Sequence, residues 1–150
     1  MPHRPDVLEL LTDAHAEAER LAAAYEATRD PERRAALAQE LVAGLERHAL
    51  AEGRALHPVV RRVLPDGDRL VAAARRRWAV ASATAQELSA AEPCSVAAER
   101  RLDALLGQLR EHAAREEGEV FPALRVRLRR RERRELGATA ARCLRATYAG

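Results

Sequence analysis

The hydrophobic residues of this chain recur at intervals of three and four positions along four long segments. In the first segment, Leu8, Leu11, Ala18 and Tyr25 fall on one such stripe. This spacing is typical of one face of an α-helix, which completes a turn in about 3.6 residues. The other stripes run from Leu41 to Val59 or Val63, from Leu70 to Leu88, and from Leu102 to Val120 or Ala123. Four amphipathic helices are therefore predicted.

Helix-boundary signals separate these segments. Asp30 is a predicted N-cap with Pro31 at the first helical position, and "PDG" at 65–67 breaks the second segment. "AEPCS" ends the third segment, where Ser95 is a predicted N-cap with the acidic Glu99 soon after it. These signals predict where each helix begins or ends, and no linker separates a second domain.

The C-terminal part of the chain is less regular. Gly137 is predicted to end or interrupt the helical pattern, and residues 138–147 form either a short fifth helix or a frayed end. Aromatic residues make up only 3% of the chain, whereas Ala, Leu, Arg and Glu dominate it, which favours helices over strands. The sequence predicts one all-α domain over residues 1–150, a four-helix bundle with a C-terminal extension.

Two phrases in the second and fourth segments match each other. "LERHALAEGRALHP" at 45–58 and "LREHAAREEGEVFP" at 109–122 share Leu, His, Ala, Glu and Pro at one constant offset. Pro58 and Pro122 lie inside helical patterns, where each removes one N–H and crowds the carbonyl four residues earlier. Each helix is therefore predicted to kink about four residues before its proline, in equivalent halves of the bundle.

Polar residues interrupt three of the four apolar stripes. Burying such groups unpaired is costly, so their placement on inward faces predicts that they meet. Imidazole and carboxylate groups are ligands suited to iron, manganese or zinc, and facing helices of bundles build metal sites from them. The alternative is a set of buried His–Glu hydrogen bonds without metal. The interrupting residues are His15, His48, Glu52, His112 and Glu116.

Charge and cysteine content bear on the cellular compartment and on the partners of the protein. All 26 basic residues are arginine, and the net charge is only +3. Cys94 and Cys143 are too few for a disulfide framework, and no apolar run could serve as a signal sequence or span a membrane. A cytoplasmic protein without a membrane partner is expected.

The chain resembles the hemerythrin-like, or HHE cation-binding, family over residues from about 6 to 135. The resemblance rests on "LLTDAHAEAERL", on "HALAEGRALHP" and on "EHAAREEGEVFP" leading into "ALRVRL". It implies an up-down antiparallel four-helix bundle that holds non-haem iron, usually two ions bridged by carboxylates. Members of the family bind oxygen or act in nitric oxide, peroxide or iron handling.

The resemblance also implies roles for individual residues. His15 would be the ligand from the first helix, His48 a terminal ligand and Glu52 a bridging carboxylate. His112 would be the ligand from the fourth helix. The carboxylate ligand from that helix could be either Glu116 or Glu117.

Glu117 would be the helix-four ligand if the family's spacing of four intervening residues holds. Glu116 fits better by helix face, because the fifth residue after His112 lies a further 100° or so round the helix. Both glutamates are therefore kept as candidate ligands.

The third segment departs from the family pattern. Residues 68–91 contain no histidine, although the resemblance implies one or two there, and Trp78 stands where the first is expected. Ala74, Ala81 and Ser82 cannot substitute as strong ligands. Three outcomes are left open: a single metal with His112 either binding it or supporting a ligand, two metals with one poorly ligated, or a vacant polar cluster.

The predicted function is non-haem metal binding in oxygen, peroxide or nitric oxide chemistry or sensing. Iron is expected, with zinc or manganese as alternatives, and a small diatomic molecule or peroxide is the expected ligand. An oxidase or peroxidase activity would need an open coordination position. The rival hypothesis is a metal-free bundle that binds a partner or a small molecule beside Trp78.

Three other features are interpreted without a functional role. His57 is interpreted as a partly buried or exposed helix histidine, too far along the helix from His48 to join the site. His3 is assigned nothing. Seven arginines between 125 and 134 are interpreted as a solvated end of helix four rather than a nucleic-acid surface. The oligomeric state is left open between monomer and homodimer.

Overall fold

The computed structural model describes residues 4–145, and every regular element in that range is helical. His3 and residues 146–150 lie outside the described residues. The all-α prediction is confirmed for the described part of the chain. The helices are α1 (Val7–Ala27), α2 (Pro31–Ala51), α3 (His57–Val63), α4 (Gly67–Ala90), α5 (Val96–Arg115), α6 (Phe121–Arg127) and α7 (Arg130–Arg145).

Side-chain caps begin three of the long helices. Asp6 accepts a hydrogen bond from the Leu8 N–H before α1, at 2.8 Å. Asp30 caps α2 with Pro31 in its first turn, and Ser95 accepts from the backbone of α5. The two N-caps predicted from the sequence are confirmed, because each supplies an acceptor to N–H groups that have no partner within the helix.

A π turn lies just before each internal proline. The turns span Glu52–Leu56, between α2 and α3, and Glu116–Val120, between α5 and α6. The N–H of His57 donates to the carbonyl of Glu52, five residues back, and Phe121 does the same to Glu116. The disturbances occur where kinks were predicted, but a wider turn accommodates each proline. Such turns are frequent at functional sites.

The interior of the bundle contains two apolar clusters. The first surrounds the π turns and includes Leu11, Ala51 and Phe121. The second lies towards the other end of the long helices and includes Leu21 and Leu45. The histidines of α1 and α2 fall along the chain between residues of the two clusters. A polar layer therefore divides the core.

Helix α7 packs against α1 and α2. The prediction that Gly137 ends or interrupts the helix is wrong, because α7 continues through it as far as Arg145. A Cβ atom at Gly137 would lie 2.1 Å from the Pro5 carbonyl oxygen, so glycine is needed for this close approach. The tail prediction of 138–147 corresponds to the second half of α7, and residues 146–147 lie outside the described part.

The arginine-rich stretch was predicted to be the end of helix four, and this prediction is wrong. Helix α6 ends at Arg127, Leu128 adopts an extended conformation, and α7 begins at Arg130. Arg133 contacts Leu128 O and pairs with the Asp6 carboxylate. The stretch therefore turns the chain and fixes α7 against the start of α1.

Four helix–helix contacts surround the polar layer. They join α1 to α2, α2 to α4, α4 to α5, and α5 to α1. None of the described helices is long and apolar enough to cross a bilayer. The layer between the two apolar clusters is thus enclosed by helices on four sides.

Candidate metal centre

Five polar side chains meet in the layer between the two apolar clusters. They project from α1, from α2 and the π turn after it, and from α5 and the π turn after it. One nitrogen or oxygen atom of each lies within 4.8 Å of the corresponding atom of every other. The structure brings together His15, His48, Glu52, His112 and Glu116.

Glu52 lies at the centre of this group and has no exposed surface. Its Oε1 is 2.6 Å from His48 Nε2 and 2.9 Å from His112 Nε2. Its Oε2 accepts a hydrogen bond from the indole Nε1 of Trp78, also at 2.6 Å. The carboxylate therefore has two distinct sides, one towards the imidazoles and one towards α4.

Glu116 is the second buried carboxylate of the group. Its Oε1 lies 3.0 Å from His112 Nε2 and 3.1 Å from His15 Nε2. Glu117 has a side chain that is 42% exposed, with Oε1 3.5 Å from His15 Nδ1. Of the two helix-four candidates, the structure places Glu116 inside the group and Glu117 at its rim.

Mutual neutralisation keeps the buried carboxylates charged. Burial raises the pKa of Glu52, but His48 and His112 outweigh it and hold the pKa well below its usual range. Burial and the nearby Glu52 charge raise the pKa of Glu116, but His112, His15 and His48 lower it overall. Burial lowers the pKa of His48, whereas Glu52 and Glu116 raise it, to about 9. The group is a compact arrangement of opposite charges.

His112 is oriented by a contact with α4. Burial lowers its pKa and the two carboxylates raise it, to about 10, which would put hydrogen on both ring nitrogens. Arg77 donates its Nε–H to His112 Nδ1 at 3.2 Å, however, and this requires an unprotonated Nδ1. The two arrangements exclude each other. We infer the neutral ring with hydrogen on Nε2, because a guanidinium would not face an imidazolium, and that hydrogen points at Glu52 and Glu116.

Trp78 occupies the side of the layer formed by α4. Its ring centroid lies 5.1 Å from that of His48 and 4.7 Å from that of His112. An indole N–H can donate a hydrogen bond but offers no lone pair to a cation. The side chain therefore fills the space beside the imidazoles and holds Glu52 without acting as a ligand.

An open cavity of about 770 Å³ adjoins the group between α1, α2 and α5. His15, His48, His112 and Trp78 contribute to its wall, and Glu117 lies along it. Leucine side chains form much of the remaining lining. They are Leu10, Leu21, Leu41, Leu45, Leu106, Leu109 and Leu144. A small or partly apolar molecule could therefore reach the imidazoles from outside.

The family model for the hemerythrin HHE cation-binding domain matches residues 6–124. The chain belongs to this family. Residues 6–124 extend from the N-cap of α1 into α6, so the hemerythrin match contains all five grouped side chains and excludes α7. Neither the curated proteins nor the solved structures include a significant match to the chain.

The donor set fits the cation that the hemerythrin family implies. Three imidazoles and two carboxylates supply nitrogen and oxygen donors of the kind that iron, manganese and zinc accept. Each carboxylate faces at least two imidazole nitrogens, so one ion could contact donors from three helical segments. Helix α4 contributes the Trp78 indole and the Arg77 guanidinium to the group, and no imidazole.

His57 lies closer to the group than the sequence predicted. It is buried, with 4% of its surface exposed, and its Nε2 is 3.7 Å from Glu52 Oε2. The prediction of a distant, partly buried or exposed histidine is wrong, because it took the distance between His48 and His57 from a regular α-helix. A π turn closes over five residues and brings His57 back over Glu52. The five-residue spacing across the proline disturbance was the signal that could have revealed it.

Proposed function

We propose that this hemerythrin-family chain binds a divalent cation, iron being the first choice, in the layer between its two apolar clusters. One observation carries the proposal: three imidazoles and two carboxylates lie with their donor atoms within 4.8 Å of one another. Four of the five are buried, and burying such groups is costly unless they are paired or bind a metal. The proposed ligands are His15, His48, Glu52 and Glu116, and His112 either binds the cation or supports the carboxylates.

The proposed activity is oxygen, peroxide or nitric oxide chemistry or sensing, including an oxidase or peroxidase function. Bound iron would supply redox capacity and an open coordination position for a small ligand. The chain itself supplies the remaining parts. The cavity of about 770 Å³ gives a small molecule access to His15 and His48, and Trp78, which also lines it, donates its indole N–H to Glu52. Glu117, at the rim, could hold or move a proton at His15 Nδ1.

The finer architecture belongs to the same proposal. The ring of contacts through α1, α2, α4 and α5, with short connections between the helices, supports the up-down antiparallel order of the hemerythrin bundle. Two free cysteines support a reducing, cytoplasmic location. Residues 1–150 are proposed to act as one domain, as a monomer or homodimer, without nucleic acid.

A second candidate function follows from the cavity beside Trp78. Its leucine-rich wall and its volume suit a small organic molecule as well as a diatomic gas. In that case the His–Glu group would be a metal-free network, with each carboxylate in contact with at least two histidine nitrogens. Metal content separates the two functions.

The test is the metal content of protein purified from iron-replete, low-oxygen cultures. About one equivalent or more per chain is expected, because a set of this many donors should retain metal. A metal content below about a tenth of an equivalent per chain would contradict metal binding and favour the metal-free bundle. His48→Ala is expected to lose the metal. The control variant Gln39→Ala, on the exposed face of the same helix α2, is expected to keep the metal.

A further inference from the structure

A smaller pocket lies between α3, α4, α5 and the second π turn, and it is called the α4 pocket below. Its volume is about 350 Å³, and it shares no lining residue with the large cavity. Small-molecule sites in proteins commonly measure about 300–1,000 Å³. Of the described residues, four arginines and three glutamates line the α4 pocket, together with apolar side chains that include Val60, Val71 and Val120. The pocket therefore combines charge with an apolar wall.

Most of these charged groups already contact a group of opposite charge. Arg69 Nη2 is 3.0 Å from Asp66 Oδ2, and Arg115 Nη1 is 3.0 Å from Glu119 Oε1. The Glu116 carboxylate belongs to the metal group and faces the histidine nitrogens there. These charges are therefore balanced within the protein.

The other charged groups of the α4 pocket are Arg76, Arg77 and Glu111, and none of them has an ion-pair partner within residues 4–145. Arg77 donates its Nε–H to His112 Nδ1 at 3.2 Å, which uses one of its five N–H groups. Two positive charges and one negative charge leave the pocket with one positive charge in excess. A single anion of charge −1 would balance that excess.

His57 adds a polar group at the buried side of the α4 pocket. Its ring has 4% of its surface exposed, and neither nitrogen has a hydrogen-bond partner in the part of the chain that the structure describes. Glu52 Oε2 lies 3.7 Å from Nε2, which is too long for a hydrogen bond. Because buried side-chain nitrogens are almost always paired, an occupant of the pocket is the partner expected for this ring.

The donors and the wall of the α4 pocket together select a class of anion. The planar guanidinium group binds carboxylate and phosphate groups through parallel N–H groups. A monocarboxylate carries one negative charge at neutral pH, whereas a phosphate group carries about 1.5 to 2. The apolar wall formed by Val60, Val71 and Val120 suits a short hydrocarbon chain and offers nothing to an inorganic ion. A small organic monocarboxylate matches both properties.

We propose that the α4 pocket binds a small organic acid, whose carboxylate contacts Arg76 and Arg77 and whose hydrocarbon part lies against the valines. His57 donates a further N–H to the carboxylate. Because Arg77 also contacts His112, the bound acid lies one side chain away from the metal group. The pocket needs no bound metal to hold this acid, so the site is separate from the proposed metal function.

Butyrate is a suitable probe because it joins one carboxylate to a short hydrocarbon chain. Isothermal titration calorimetry at constant ionic strength measures its binding to the 150-residue chain as purified, and again after a chelator has removed any metal. Wild type is expected to bind about one equivalent of butyrate, more tightly than inorganic phosphate. Removal of metal is expected to change the affinity for butyrate by no more than about threefold.

Four variants test the assigned charges. Arg77→Gln should weaken butyrate binding by at least about tenfold, because it removes a charged donor pair. Arg76→Gln should weaken it by at least about threefold; Arg76 is exposed and has no ion pair in the described chain, so folding is not at risk. Glu111→Gln removes the opposing charge and should strengthen binding by about twofold or more. Arg75→Gln is the control, because Arg75 is exposed on α4 outside the pocket, and it should leave the affinity within about twofold.

Other results would overturn the organic-acid site. Absence of saturable butyrate binding in wild type, or equal weakening by Arg75→Gln and Arg76→Gln, would show that the arginines are an ordinary solvated surface. Tighter binding of phosphate than of butyrate would contradict the role of the apolar wall. Loss of butyrate binding after chelation would place the carboxylate on the metal instead of in the α4 pocket. The metal content of wild type, which tests the proposed function, is measured independently of all these results.

Discussion

Trp78 donates its indole N–H to Glu52 Oε2 at 2.6 Å, across the interface between α4 and the first π turn. Hydrogen bonds to a charged carboxylate are stronger than those between neutral groups, so this contact orients the central acid of the group. The resemblance to the hemerythrin family implied a histidine at this side of the bundle. The helix that is expected to bind metal instead positions a carboxylate for the other helices.

Replacing Trp78 by histidine should raise metal occupancy, because an imidazole would return a nitrogen donor to α4 close to Glu52. The measurement is metal per chain after growth in iron-replete medium, compared with wild type. Trp78→Phe is the control, since it removes the N–H to Glu52 without adding a donor. If the two variants hold the same amount of metal, the register assigned to α4 is wrong.

Tyr25 should lose its proton at a higher pH than a free tyrosine. Burial in the second apolar cluster raises the pKa of Tyr25, and the Arg34 guanidinium, 4.7 Å from the ring centroid, lowers it in part. A raised pKa means that the neutral phenol stabilises the fold below the unfolded value of about 10, and that this stability is lost as pH rises through the folded pKa.

The sequence has two tyrosines, which allows a clean assignment. Tyr148→Phe leaves Tyr25 as the source of the phenolate absorbance, and Tyr25→Phe leaves Tyr148. The absorbance of Tyr148→Phe protein should rise at a pH above about 10, before or together with unfolding. A midpoint at or below the ordinary tyrosine value would contradict the buried environment.

Gly137→Ala should destabilise the protein by about 1–3 kcal/mol, because the added methyl group would collide with the Pro5 carbonyl and push α7 away from α1. The midpoint of urea unfolding measures this. Gly107→Ala is the matched control: it lies in α5 with no atom within 4 Å of the added Cβ. That variant should be neutral or more stable by up to about 1 kcal/mol. Equal losses in both would show that α7 does not pack closely at Gly137.

Local signals were sufficient for much of the fold. The stripes and the caps at Asp30 and Ser95 are properties of a few neighbouring residues, and the structure confirms them. The prediction that Gly137 ends a helix was wrong because the role of this glycine depends on Pro5, which is distant in sequence and close in space. A glycine that ends a helix and one that permits a close approach look the same in one sequence.

The same limit applies to the site. Periodicity predicted inward-facing histidines and glutamates, since one regular helix face was enough to select them. It could not place His57, because the proline disturbance relaxes into a π turn and changes which residues share a face. Glu116 and Glu117 were left open for a related reason, as each lies at the start of the second such turn.

Glu116 and Glu117 provide the most direct test of that turn. Glu116→Gln should weaken Co²⁺ or Fe²⁺ binding by at least about 100-fold, because it removes a buried charge that faces His15 and His112. Glu117→Gln should change the affinity by no more than about threefold, since its exposed carboxylate is largely screened by solvent. Anaerobic metal titration measures both constants, and circular dichroism checks that each variant is folded. The opposite order of effects would show that Glu117 is the ligand of helix four and that the second π turn begins one residue later than the structure has it.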